Sequence, residues 1–198
     1  MKDVCVFCSA SSAVDALYRE EAYRVGVLLG QNNYDLIYGG TRNGLMGAVA
    51  DGAHASGGKV VGIIPPVFSR FAAGEDEIVL ARNLHERKEL MERRTTAGFI
   101  ALPGGFGTLD EIACIIALKQ AQRIENPTAI QKPLVILNTN DFYTHLLTHF
   151  EHSFSQKFAS HADRSLYCVA ANPEEAIADI TLHQPSRLHS LSFITIPN

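Results

Sequence analysis

The sequence lacks long apolar runs, and it lacks an excess of positive charge. Its most apolar stretches, KVVGIIPPVF and GFIALPGG, are far shorter than the roughly 20 apolar residues that cross a bilayer. The formal net charge of -4 gives no electrostatic reason to expect a nucleic-acid polymer as partner. We therefore expect no membrane or nucleic-acid partner. The net charge does not argue against a local site for a small phosphorylated ligand.

Cysteine is scarce, and the start of the chain, MKDVCVFCSA, resembles a first strand more than a signal peptide. We accordingly expect a cytoplasmic protein with four reduced thiols. Cys5 and Cys8 form a C-x-x-C, but on a strand these positions point to opposite faces. His145 and His149 lack the glutamate of the H-E-x-x-H motif. The sequence thus predicts no metal site.

Apolar runs alternate with helical patterns along most of the chain. The runs predict strands at 3–8, 35–38, 59–64, 78–81, 98–102, 133–137 and 166–169. The intervening patterns predict helices at 13–30, 44–56, 83–96, 108–122, 141–157 and 173–181. This alternation predicts an α/β fold, a doubly wound Rossmann-like parallel sheet with helices on both faces. We expect a single nucleotide-binding domain over 1–182, a surface loop at 121–132 and a C-terminal tail, 183–198, of no assigned role.

Two turns between a predicted strand and a predicted helix are rich in glycine: YGGTRNGLMG at 38–47 and PGGFGT at 103–108. Glycine lets a ligand approach backbone N–H groups closely, and the start of a helix favours an anion such as phosphate. Neither turn is a G-x-G-x-x-G fingerprint or a P-loop, so a mononucleotide is favoured over NAD. The alternative is that these glycines only form tight turns.

The carboxylates that follow the second turn admit two interpretations. Thr108 and Glu111 match a capping box, with Thr108 as N-cap and Glu111 three residues later. Asp110 would then favour the helix dipole. Alternatively, Glu111 is catalytic. The charged run NLHERKELMERR at 83–94 is either a solvated helix face or a source of cations near a bound phosphate or ribose.

The segments GGTRNGLMG, LHERK and PGGFGTLDE, in this order, resemble the LOG (LONELY GUY) family of cytokinin riboside 5'-monophosphate phosphoribohydrolases. The resemblance extends from about Val4 to about Ile180. It implies hydrolysis of the N-glycosidic bond of a purine nucleoside 5'-monophosphate, AMP-like or N6-substituted, to free base and ribose 5-phosphate. It also implies Arg87 and Glu111 as the catalytic pair, no cofactor, and a homodimer.

The glycine turns and the resemblance together define the candidate substrate-binding residues, which are Gly39, Gly40, Arg87, Lys88, Gly104, Gly105, Phe106, Gly107 and Thr108. LOG proteins are often labelled lysine decarboxylases. A lysine decarboxylase requires pyridoxal phosphate on a Schiff-base lysine. No lysine lies at a predicted strand end inside this crevice. Thr41 stands where LOG proteins usually have a third glycine. Such departures leave open an alternative, a nucleotide-binding or molybdenum-cofactor carrier protein on the same scaffold.

Overall fold

The computed structural model describes residues 2–71, 74–128 and 131–182, and its strands form one parallel sheet. The strands are β1 (Lys2–Phe7), β2 (Tyr34–Tyr38), β3 (Val60–Ile64), β4 (Glu77–Leu80), β5 (Gly98–Ala101), β6 (Leu134–Leu137) and β7 (Cys168–Ala170). Their order across the sheet is β4-β3-β2-β1-β5-β6-β7. Every predicted strand is present, so the predicted α/β parallel fold is confirmed.

Six α-helices connect or follow these strands within the described residues. They are α1 (Ala16–Gln31), α2 (Gly44–Ala55), α3 (Leu84–Arg94), α4 (Phe106–Glu125), α5 (Thr144–Ser155) and α6 (Pro173–Leu182). Three short 3-10 helices, not predicted, cover Pro66–Phe71, Thr139–Asp141 and His161–Leu166. The predicted loop at 121–132 is wrong in its first five residues, because α4 continues through them.

The helices form a layer on each face of the sheet. Helices α1, α2 and α6 pack on one face, and α3, α4 and α5 pack on the other. Strand β1 shows the alternation of side chains that this arrangement requires. Val4 and Val6 point toward the first layer, whereas Cys5 and Phe7 point toward the second.

Cys5 and Cys8 lie in these different layers, as their spacing predicted. Both thiols are buried, and burial raises the pKa of each. Among residues 2–71, 74–128 and 131–182, no cluster of three or more His, Cys, Asp or Glu side chains is placed to hold a metal. The C-x-x-C therefore contributes two core residues on opposite faces and not a pair of thiols.

Strand β1 lies in the middle of the sheet, between β2 and β5. The chain winds outward from β1 in one direction through β2, β3 and β4, and in the other through β5, β6 and β7. Ligands of such sheets bind where the winding reverses, at the carboxyl ends of the strands. Both glycine turns follow strands that border β1, so the topology brings them to this edge.

In the described part of the chain, no helix has the length and apolarity that a membrane span requires. The tail 183–198 lies outside the described residues.

Candidate active site

The first glycine turn follows β2 and makes room for the Arg87 side chain, which comes from α3. A Cβ atom on Gly39 would lie 2.3 Å from Arg87 Nη2, far inside contact distance. The Arg87 Nε donates to the backbone carbonyl of Ile63 in β3 at 3.0 Å. Gly39 thus has to lack a side chain for the guanidinium to lie against the ends of β2 and β3.

Arg87 and Glu111 form a buried ion pair. The Arg87 Nη1 donates to Glu111 Oε1 at 2.9 Å, and the two residues are only 8% and 5% exposed. Burial raises the pKa of the Glu111 carboxyl, and the adjacent Arg87 guanidinium opposes that rise. An isolated carboxylate could not stay ionised at such a position, so Arg87 is what keeps Glu111 available as a charged group.

Of the two interpretations of Thr108 and Glu111, the capping box is wrong. Helix α4 begins at Phe106, its N-cap is Gly105, and no side chain caps it. Thr108 is the third helical residue, and its side chain folds back over Gly104, where a Cβ atom would lie 2.1 Å from Thr108 Oγ1. Glu111 lies one turn further into the helix than a capping box requires, and its carboxylate contacts Arg87. The Glu111 carboxylate is consequently available for chemistry.

The start of α4 is open. A Cβ atom at Gly105 or at Gly107 would have no neighbour within 4 Å, and Phe106 is 92% exposed. Because no side chain caps the helix, its first N–H groups face this open space. This is the arrangement that receives an anion at a helix start.

The start of α2, which follows the first glycine turn, differs from the start of α4. The Leu45 and Met46 amides donate to the Ser9 carbonyl at 3.0 and 3.4 Å. Gly40 adopts a positive φ of 72° and packs against Ile64, where a Cβ atom would lie 2.2 Å from Ile64 Cγ1. The first turn thus shapes the wall of the site and receives Arg87, whereas the open helix start belongs to the second turn.

Lys88 joins α3 to α4 beside the ion pair. Its Nζ donates to both carboxylate oxygens of Asp110, at 2.9 and 2.8 Å. These hydrogen bonds raise the pKa of the Lys88 amine, so the side chain holds its proton. A Schiff base requires a neutral amine, so Lys88 in this state is a cation for binding and not a nucleophile.

A cavity of about 320 Å³ separates α3 from α4. Its apolar walls come from Phe7, Ile115 and Leu118, and Glu111 and Lys88 lie at its polar side. A volume of this size lies within the range of small-ligand sites. The cavity therefore offers apolar surface for an aromatic base next to the Arg87–Glu111 pair.

Apart from Lys88 and Glu111, the residues that line this cavity were not predicted from the sequence. His85, Cys114, Ile115 and Leu118 line it, yet none was singled out as a site residue. The available signal was helical spacing, since His85 and Lys88 are three apart on α3 and Glu111, Cys114 and Ile115 follow the same periodicity on α4. His145, by contrast, lies on α5 as an exposed residue.

Comparisons with known proteins identify the family of this chain. A family model described as "Possible lysine decarboxylase" matches residues 46–180. The Arabidopsis thaliana cytokinin riboside 5'-monophosphate phosphoribohydrolase LOG7 is 35% identical over 93% of this chain and 83% of its own. The enzyme of that name from Rhodococcoides fascians is 38% identical over 90% of this chain and 89% of its own. The chain belongs to the LOG family. The similarity to these LOG relatives extends over nearly the whole length of the protein.

Solved structures share the fold of this LOG family member. The molybdenum cofactor binding protein of Rippkaea orientalis superimposes with a TM-score of 0.68 at 20% identity, over 92% of this chain and 97% of its own. A Moco carrier protein from Chlamydomonas reinhardtii gives 0.68 at 22% identity, over 92% and 96%. At such identities the likeness shows a common fold alone. It does not favour the carrier alternative over the activity of the LOG relatives.

Proposed function

We propose that the protein hydrolyses the N-glycosidic bond of a purine nucleoside 5'-monophosphate, AMP-like or N6-substituted. The products are the free base and ribose 5-phosphate. The observation that carries this proposal is the buried Arg87–Glu111 pair, 2.9 Å apart, whose glutamate lies on α4, the helix with the open start. The names of relatives that are 35 and 38% identical over most of the chain support it.

The substrate phosphate binds at the start of α4. The residues at 104–108 supply backbone N–H groups, and the glycines let the phosphate approach them closely. Lys88 adds a positive charge from α3, although Asp110 neutralises part of it. Gly39 and Gly40 shape the opposite wall of the site.

The ribose binds beside Glu111, and the base enters the cavity between α3 and α4. Cleavage of a nucleoside bond develops positive charge on the ribose ring, as in glycoside hydrolysis. Arg87 engages Glu111 Oε1, and we assign Oε2 to the water or to a ribose hydroxyl. Glu111 then stabilises the ring charge and removes a proton from the attacking water.

The protein acts on this small nucleotide as a cytoplasmic homodimer, with a single nucleotide-binding domain over 1–182. It requires no cofactor, no nucleic-acid polymer and no membrane. Exposed apolar side chains along α4, those of Phe106, Leu118 and Ile124, support association with a second copy. Sedimentation equilibrium tests this part, since a monomer at micromolar concentration would contradict it.

Chromatography of released base tests the activity. The purified protein is incubated with AMP and with N6-substituted AMPs, and we expect free base and ribose 5-phosphate in equal amounts. Binding of these nucleotides without release of base from any purine or pyrimidine monophosphate would contradict hydrolysis and favour the carrier alternative.

A further inference from the structure

The proposed hydrolysis requires one proton donor that the site described so far does not supply. When the bond between C1' and the purine breaks, the electron pair stays on the base, and protonation of the base makes it a better leaving group. Arg87 does not release its proton, and Glu111 is assigned to the attacking water. A third group has to protonate the purine, and this inference rests on the proposed function.

His85 has the position that such a donor needs. It lies in the first turn of α3, where Asn83 Oδ1 accepts from the His85 backbone amide at 3.0 Å. Its side chain lines the same cavity as Glu111 and the apolar walls that we assign to the base. The donor and the proposed base-binding surface are therefore neighbours within one cavity.

The imidazole is held by a carboxylate of its own helix. His85 Nε2 lies 3.1 Å from Glu89 Oε1, one turn further along α3. Because Nε2 contacts Glu89, we assign Nδ1 to the base.

The other charged or titratable groups that line the cavity are poor proton donors. On α3 they are Lys88, which Asp110 holds in its charged form, the carboxylates Glu89 and Glu92, and the guanidinium of Arg93. Across the cavity α4 presents Glu111 and the Cys114 thiol, and β1 presents only Phe7. Among these described residues, His85 is the one imidazole, the group that transfers protons most readily near neutral pH.

We propose that His85 is the general acid that protonates the departing purine. The bond between C1' and the purine nitrogen breaks with its electron pair moving to the purine. The His85 imidazolium gives its Nδ1 proton to a purine ring nitrogen, and Glu111 takes one proton from the water whose oxygen bonds to C1'. One proton is given and one is taken, and solvent carries the proton from Glu111 back to His85.

A leaving group that needs no proton tests this role. Glutamine at position 85 keeps an amide that can contact Glu89 but cannot donate an acidic proton. We expect His85→Gln to lower kcat on AMP by roughly 10²–10⁴. On 4-nitrophenyl ribofuranoside 5-phosphate, whose nitrophenolate leaves as a stable anion, kcat should change less than about threefold.

His149→Gln, on the exposed face of α5, is the matched control and should leave both rates unchanged. His85→Asn serves as a second variant if His85→Gln does not fold by circular dichroism. If His85→Gln loses kcat equally on both substrates, or keeps the wild-type kcat on AMP, His85 is not the general acid. The proposed hydrolysis still stands in that case, provided that the wild type releases base. Absence of base release by the wild type would overturn both.

Discussion

Replacing Gly107 by alanine separates the stability of α4 from its capacity to receive a phosphate. Gly107 is the second residue of the helix, and a Cβ atom there would meet nothing within 4 Å. Alanine loses less backbone entropy on folding than glycine does. The free energy of unfolding should therefore rise by about 0.5–1 kcal/mol, and Tm should rise by roughly 1–4 °C.

The same methyl group enters the space that we assign to the phosphate. If it removes one charge-assisted hydrogen bond between an α4 amide and the phosphate, the loss is about 1.5–3 kcal/mol, or ten- to more than hundredfold in Kd. The Gly107→Ala variant should thus be more stable than the wild type and should bind AMP much more weakly.

Thermal denaturation and calorimetric titration with AMP measure the two effects. Ala113→Gly, on the exposed face of the same helix, is the converse control. It should destabilise the protein by about 0.5–1 kcal/mol and leave AMP affinity unchanged. A Gly107→Ala protein with the stability gain and with wild-type affinity would refute the phosphate site at the start of α4.

Three further predictions concern other parts of the molecule. Gly39→Ala should displace Arg87 and lower turnover by about 10²-fold, with circular dichroism unchanged; wild-type turnover would contradict the Gly39–Arg87 contact. Burial lowers the pKa of the Lys119 amine from 10.5 to about 8. Between these two pH values the unfolded state binds more protons than the folded state, so the free energy of unfolding should rise with pH there. Lys119→Met should abolish that rise in chemical denaturation and add about 1–3 kcal/mol at pH 7. AMP should be cleaved at least about tenfold faster than adenosine, and equal rates would exclude a role for the phosphate.

The order of strands and helices could be predicted because the buried strands are short, nearly continuous apolar runs. LVIL at Leu134–Leu137 is buried at every position, and the polar segments on either side mark its ends. The last predicted strand, 166–169, begins two residues before β7 and ends one residue before it, because Leu166 belongs to a 3-10 helix and is buried as a strand residue would be. The 3-10 helices escaped prediction since segments of three to six residues have too little periodicity to detect.

The site could be predicted less completely because its central contact is not local. Arg87 and Glu111 were named from family resemblance, but their 2.9 Å pairing depends on β3, β5 and two helices coming together. The capping-box pattern of Thr108 and Glu111 is a local signal, and it failed because Gly105 is already the N-cap of α4 and the Glu111 carboxylate pairs with Arg87. No local pattern assigns His85 to a cavity wall.

Base release by Glu111→Gln decides whether the buried carboxylate performs the hydrolysis. The amide keeps an oxygen that can accept from Arg87 but loses the negative charge, so the protein should fold and still bind AMP. We predict that wild-type protein releases adenine and ribose 5-phosphate from AMP, and that Glu111→Gln does so roughly 10²–10⁴ times more slowly. Wild-type release by Glu111→Gln, measured by chromatography under the same conditions, would contradict the account.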